Sequence, residues 1–163
     1  MSSPLPGPRV TPERAEPDAP RRTGATAGRT HWLLPIDPGA HLEHQPPDWR
    51  VRPDAGPIWA AIARSQPVQR WCLSTGYRTM QRGDLIWAYL SRRQEICAVG
   101  AVRQVCCEDG SWYVLVDWDA ERTSRLCDAP LPRSRFHQIP MSVCRAGQLA
   151  AAVLTDYWES AAG

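Results

Sequence analysis

The residues with the clearest chemical potential lie together in one short stretch, which reads Trp-Cys-Leu-Ser-Thr-Gly-Tyr-Arg from Trp71 to Arg78. The indole can stack on a flat ligand, and the hydroxyls of Ser74 and Thr75 can hydrogen-bond the polar edge of that ligand. Gly76 lets the backbone approach closely, and Arg78 can bind a phosphate. The stretch therefore has the makeup of the rim of a base-binding pocket. The alternative, which the residue types alone favour, is that the indole plugs the end of a barrel and the polar residues form only a turn.

Catalytic and metal-binding signatures are missing from the chain. It contains no G-x-S-x-G, H-E-x-x-H, phosphate-binding glycine loop or G-x-G-x-x-G. His41 and His44 are three residues apart, but they stand in a Pro-rich loop with no third ligand close in sequence. The six cysteines include no C-x-x-C pair. We therefore expect no metal, no cofactor and no catalytic residues, with an enzyme as the alternative.

Composition points to a cytoplasmic protein without a membrane partner. Residues 1–20 lack the apolar core of a signal peptide, and no stretch approaches the ~20 apolar residues that span a bilayer. Reduced thiols are expected in such a compartment. All nineteen basic residues are Arg, which is typical of a GC-rich bacterial genome. Six of these Arg fall within residues 70–103, against only Asp84 and Glu95, so this segment predicts a locally basic face.

The pattern of apolar residues predicts two parts. Residues 1–30 hold six prolines and no aromatic residue, so we expect a disordered arm, followed by one domain over residues 31–163. Within the domain, alternation and short apolar runs predict five strands and two helices, with a polar loop over residues 37–57 and an Asp-Gly hairpin turn. The strands are expected at His31–Ile36, Val68–Leu73, Leu85–Leu90, 95–105 and Ser111–Trp118, and the helices at Ile58–Arg64 and Gly147–Glu159.

Residues 120–146 give a weaker pattern, for which we expect short extended pieces near Arg125 and Met141. The closing helix is amphipathic, because Leu149, Val153 and Tyr157 recur every four residues. Five strands with hairpin connections and flanking helices favour an α+β fold. The expected architecture is a small, curved, mostly antiparallel β-barrel with helices packed outside.

Five motifs in this order resemble the EVE domain, a PUA-like domain related to the YTH and ASCH domains. They are Trp32-Leu33-Leu34, Trp71-x-x-Ser74-Thr75, Gly83-Asp84-Leu85-Ile86-x-x-Tyr89-x-Ser91, Val99-Gly100-x-Val102 and Trp112-x-x-x-x-Asp117. The resemblance covers about residues 31–160 and implies a PUA-like barrel. In YTH domains, the Trp at the position of Trp71 is one wall of a methyl-adenine cage and is followed by a Ser-Thr pair.

The resemblance implies a non-catalytic module that recognises a modified, methylated base of DNA or RNA in an aromatic pocket. The alternatives are a PUA-like enzyme acting on nucleic acid or a modified nucleoside, and a small-molecule-binding module. Trp32, Trp87 and Trp112 are all candidates for the second wall. The expected ligand-binding residues are Trp71, Ser74, Thr75, Tyr77, Arg78, Trp32, Asp37 and Trp87.

The spacing of the cysteines gives a direct test of the expected redox state. Without a C-x-x-C pair or a signal peptide, neither structural zinc nor a required disulfide is expected. Purified protein, unfolded without reductant, should titrate as six free thiols. Stoichiometric zinc by elemental analysis, or fewer than six thiols, would contradict this expectation.

Overall fold

The computed structural model of the chain describes residues 28–36, 68–91 and 93–161. Several sequence-based expectations concern residues outside these ranges. They are the arm up to residue 27, the loop over 37–57 with Asp37, His41 and His44, and the helix at Ile58–Arg64. These expectations stay predictions.

Seven strands and three helices make up the described part of the chain. The strands are β1 (His31–Ile36), β2 (Val68–Leu73), β3 (Leu85–Leu90), β4 (Glu95–Glu108), β5 (Ser111–Trp118), β6 (Leu131–Pro132) and β7 (Cys144–Arg145). The helices are α1 (Ala120–Asp128), α2 (Arg133–Phe136) and α3 (Gln148–Ser160).

The strands form one curled, mixed sheet in the order β2-β5-β4-β3-β1-β7, with β6 paired to β4. β1 runs parallel to β3, and the other paired strands are antiparallel. The sheet curls into a half-barrel with helices against it, which confirms an α+β, barrel-like architecture. The Asp109–Gly110 turn also joins β4 to β5 as predicted, with positive φ at both residues.

The two faces of the sheet carry two separate hydrophobic clusters. One face, called here the Trp71 face, buries Trp32, Trp71, Ile86 and Val114. The opposite face, called the helix face, carries residues such as Trp87. It packs against apolar side chains from all three described helices, namely Leu126, Phe136, Ala150 and Leu154. Every residue of β3 is buried, because alternate side chains enter the two clusters.

Helix α1 corrects the expectation of an extended piece near Arg125, which lies inside this helix. The helix begins after Asp119, whose carboxylate accepts from the backbone N–H of Arg122 at 2.8 Å, an N-cap. Thr123 and Leu126 are buried three residues apart, so the helix presents one face to the sheet. The observed short strands of this region are β6 and β7, and α2 was not predicted.

Helix α3 confirms the predicted closing helix to within one residue at each end. Its buried positions are Ala150 and Leu154, whereas Leu149 is 58% exposed and therefore lies off the packed stripe. The side chain of Arg122 donates to the carbonyl of Trp158. Its guanidinium carbon lies over the Trp158 indole, 3.8 Å from the ring centroid. Such cationic donors satisfy carbonyls that the end of a helix leaves unpaired.

Gly100 lies at a close approach between β4 and β5, as glycines inside strands often do. A Cβ atom there would stand 2.7 Å from the carbonyl oxygen of Asp117 and 3.0 Å from the Cα of Trp118. Both of these contacts are backbone atoms, so the clash cannot be relieved by a side-chain rotation. The register of β4 against β5 therefore depends on a missing side chain at this position.

We expect Gly100→Ala to lower the free energy of unfolding by about 1–3 kcal/mol, because overpacking must displace backbone. Urea unfolding followed by circular dichroism measures the change. Gly147→Ala is the control, since its Cβ would meet only the Gln138 side chain at 3.5 Å, an ordinary contact. Equal losses in the two variants would show that crowding at residue 100 is not the cause.

Candidate functional site

The loop over residues 74–84 joins β2 to β3 and holds the predicted polar stretch. It is anchored on Trp32 of β1, whose Nε1 donates to the carboxylate of Asp84 at 2.9 Å. The same carboxylate oxygen accepts from the backbone N–H of Gln81 at 2.9 Å. Gly76 has φ of 79° and lies over the indole, where a Cβ would stand 2.8 Å from the Cζ3 atom of Trp32. The loop is therefore seated on a buried ring.

Further hydrogen bonds fix the conformation of the loop. The Thr75 hydroxyl donates to the carbonyl of Val143 at 2.7 Å, which ties the loop to the segment before β7. The backbone N–H groups of Thr79 and Met80 donate to the carbonyl of Gly76. The Thr75 hydroxyl therefore already has a structural partner, although Thr75 and Ser74 are both exposed. Of the two hydroxyls expected to contact a ligand, that of Ser74 forms no hydrogen bond with another described residue.

A pair of stacked aromatic rings lies at the edge of this loop. Tyr77 and Trp112 are both half-buried, with ring centroids 4.7 Å apart and planes inclined by 11°. Trp112 reaches Tyr77 because it pairs with Leu73, the last residue of β2, in the β2–β5 register. The exposed guanidinium of Arg78 lies 5.8 Å from the centroid of the Tyr77 ring. We call Tyr77, Trp112, Arg78 and Ser74 the aromatic rim.

Trp71, the residue at the centre of the sequence-based hypothesis, lies beneath the surface. Its side chain is 7% exposed and meets Trp118 edge-on, with centroids 5.9 Å apart. Both rings belong to the cluster against which Tyr77 and Trp112 pack. Trp71 and Trp32 therefore share one face of the sheet with the aromatic rim, and the rim is the part that solvent reaches.

Trp87 is not brought together with the other predicted wall residues. It is fully buried in the helix-face cluster, because it pairs with Leu33 of β1 whereas Trp32 pairs with Ile86. Residues on opposite faces of a strand cannot line the same pocket. Of the three candidates for the second wall, Trp112 therefore lies nearer this site than Trp87 does. The predicted contributor Asp37 lies outside the described residues.

A second polar group occupies the helix face around His31. The indole Nε1 of Trp87 donates to Nδ1 of this histidine at 3.0 Å, and Nε2 lies 3.0 Å from the hydroxyl of Thr155. Because indole is only a donor, Nδ1 must accept, and the ring proton of the neutral form is on Nε2. His31 therefore donates to Thr155 and cannot act as the base that activates its hydroxyl. A small cavity of about 260 Å³ adjoins the pair, also bounded by Arg29, Trp158 and Glu159.

Neither a metal-binding cluster nor a membrane-spanning helix is seen among the described residues. Within residues 28–36, 68–91 and 93–161, no three His, Cys, Asp or Glu side chains cluster so as to hold a metal ion. None of the helices in these ranges is long and apolar enough to cross a membrane.

Comparison with family models, with curated proteins and with solved structures gave no match to this chain. The geometry of the site therefore carries the functional argument, and the likeness to EVE and YTH domains is an expectation drawn from motifs.

His31 should make stability depend on pH. Burial lowers the pKa of His31 from its ordinary value of 6.5, Asp84 opposes that effect, and Arg29 reinforces it. A lowered folded-state pKa means that the unfolded chain binds the proton first. The contribution of neutral His31 is thus complete above pH 6.5 and is lost as pH falls below that value. Protonation would also set a ring N–H against the Trp87 donor.

We expect the urea midpoint of the parent to fall between about pH 7 and pH 5 more steeply than that of His31→Gln, whose amide can accept and donate without titrating. The control is His137→Gln, since that side chain is exposed. If the His31 and His137 variants show the same pH slope, the buried imidazole does not govern acid stability.

Proposed function

We propose that this chain is a non-catalytic binding module that holds a base of DNA or RNA, a methylated base in particular, against the aromatic rim. The observation that carries the proposal is the half-buried stack of Tyr77 on Trp112 beside exposed Arg78 and Ser74. Unpaired bases are commonly held by such rings, with hydroxyls reading an edge and Arg contacting the backbone.

The stacking of Tyr77 on Trp112 determines which ring faces are open to a base. Tyr77 and Trp112 cover one face of each other, so a base adds to an outer face of the stack. Stacking on an aromatic side chain is worth ~1–3 kcal/mol per base. Extracting a base from a duplex costs a few kcal/mol, which favours single-stranded or already unpaired targets. The module is therefore best suited to an unpaired base.

Trp71 supports the rim from below and becomes a pocket wall only if the rings above it separate. The motif likeness to YTH domains assigns this residue the wall of the cage, and its 7% exposure leaves little area for that contact in the present conformation. A methyl group buried between rings adds ~0.8 kcal/mol, a few-fold preference. Stronger selection would need a penalty on the unmodified, better-hydrated amino group.

Basic side chains around the loop favour a phosphate-bearing ligand. Arg78 and Arg82 are exposed at the loop, and neither forms an ion pair with a described residue. Arg103, farther along β4, lies 3.8 Å from Asp117 and is more than half exposed. Contacts of this kind make binding weaken as salt rises.

The test begins with a screen of methylated and unmodified single-stranded DNA and RNA oligonucleotides by fluorescence anisotropy. With the best oligonucleotide, Trp112→Ala and Tyr77→Ala should each weaken binding about tenfold or more, because each removes a stacking surface. Tyr113→Ala is the matched control. Its ring is also half-buried and lies 3.7 Å below the guanidinium of Arg70, but it points to the opposite face of β5.

A second pair of variants separates the rim from the buried indole. Trp71→Phe keeps an apolar ring in the cluster, and circular dichroism establishes that the fold survives. Loss of binding in Trp71→Phe with full binding in Trp112→Ala would move the site from the rim to a pocket at Trp71. The proposal would be wrong altogether if all three aromatic variants bound as tightly as the parent and the Tyr113 control.

A further inference from the structure

A surface groove, separate from the aromatic rim, lies between the β3–β4 turn and helix α2. Its volume is about 620 Å³, within the usual size of ligand sites. It is lined by Arg93, Gln94, Pro132, Arg133, Ser134, His137 and Ile139. No carboxylate occurs among these described lining residues, so the groove presents cationic and neutral donors.

The backbone around the groove is firmly connected. The N–H of Arg133 donates to the carbonyl of Gln94 at 2.9 Å, and β6 pairs with the start of β4 at Ile96 and Leu131. The N–H of His137 closes α2 by donating to the carbonyl of Arg133. Because these bonds join the turn and the helix, the backbone segments on either side of the groove keep a fixed separation.

The donors that face the groove are largely uncommitted. Among the described residues Arg93 bonds only to Glu95, through its Nε atom at 2.6 Å, so both terminal amino groups of the guanidinium can meet another acceptor. The side chains of Arg133, Ser134 and His137 donate to no other described residue. Two guanidinium groups with a hydroxyl and an imidazole match the oxygens of a phosphate, which Arg can bind through paired hydrogen bonds.

We propose that this groove binds the phosphate group of a ligand, with Arg133 as the principal contact and Arg93 and His137 beside it. Pro132 and Ile139 give the groove an apolar wall, and Ile139 is 56% exposed. A phosphate attached to a sugar would place its less polar part against this wall. The groove lies at the Glu95 end of β4, whereas Trp112 pairs with Cys107 near the other end, so the two sites are separate.

Isothermal titration with inorganic pyrophosphate tests the groove. The parent should bind saturably, and Arg133→Gln should weaken binding about tenfold or more through loss of charged hydrogen bonds. Arg135→Gln is the matched control, because this exposed residue belongs to the same short helix but does not line the groove. His137→Asn should weaken binding less, and Asn tolerates the left-handed backbone at that position.

Equal weakening in the Arg133 and Arg135 variants, or unchanged binding in Arg133→Gln, would overturn the proposal, since either result means only diffuse charge attraction. Two further ligands identify the source of the phosphate. Tighter binding of ribose 5-phosphate indicates a free phosphate monoester, and tighter binding of an abasic oligonucleotide indicates a nucleic-acid backbone. Trp112→Ala should leave pyrophosphate binding unchanged, so failure of the aromatic rim and failure of this groove give different results.

Discussion

The buried hydrogen bond between Trp32 and Asp84 is the contact on which the candidate site depends. Its two residues are 52 positions apart, and the Asp84 carboxylate joins strand β1 to the loop over residues 74–84. A buried carboxylate that loses its donor costs about 1–3 kcal/mol, so the indole is held by polar as well as apolar forces. Gly76 can lie on that indole only because it has no side chain. The position of Tyr77 follows directly from this arrangement.

The same sheet provides very different surroundings on its two faces. The helix face is covered by α1, α2 and α3, and the polar group around His31 on this face is satisfied by Trp87 and Thr155. The Trp71 face ends at the aromatic rim, where rings and cations reach solvent. Exposed rings and cations therefore gather where β2 ends and β5 begins, and the opposite face packs against the helices.

Sequence patterns predicted the bounds of most long strands well, but they missed the end of β4 and helix α1. β1, β2, β3 and β5 begin and end at the expected residues, because short apolar runs and alternation are local properties. β4 continues to Glu108, three residues further than expected, since pairing with β5 extends it through Cys106 and Cys107. Helix α1 was missed, although Asp119 followed by the Thr123 and Leu126 spacing is a helix signal.

The candidate site shows why pairing matters for such predictions. Alternation along β3 places Ile86 and Trp87 on opposite faces, but it cannot reveal which of them shares a face with Trp71. The registers of β2 with β5, of β5 with β4 and of β4 with β3 decide this together, and they bring together residues far apart in the chain. The residue type of Trp112 made it a candidate wall. Its stack on Tyr77, however, depends on the pairing of β5 with β2, which the local sequence does not reveal.

The parallel pairing of β1 with β3 has a consequence for how the chain folds. β1 comes early in the sequence, yet its neighbours are β3 and the much later β7, and His31 contacts Thr155 across 124 positions. Pairing over such separations requires long chain segments to close first, which slows folding. The β4–β5 hairpin, with its two-residue turn, can form early. During synthesis the helix-face side of β1, Leu33 included, therefore stays uncovered until helix α3 has been made.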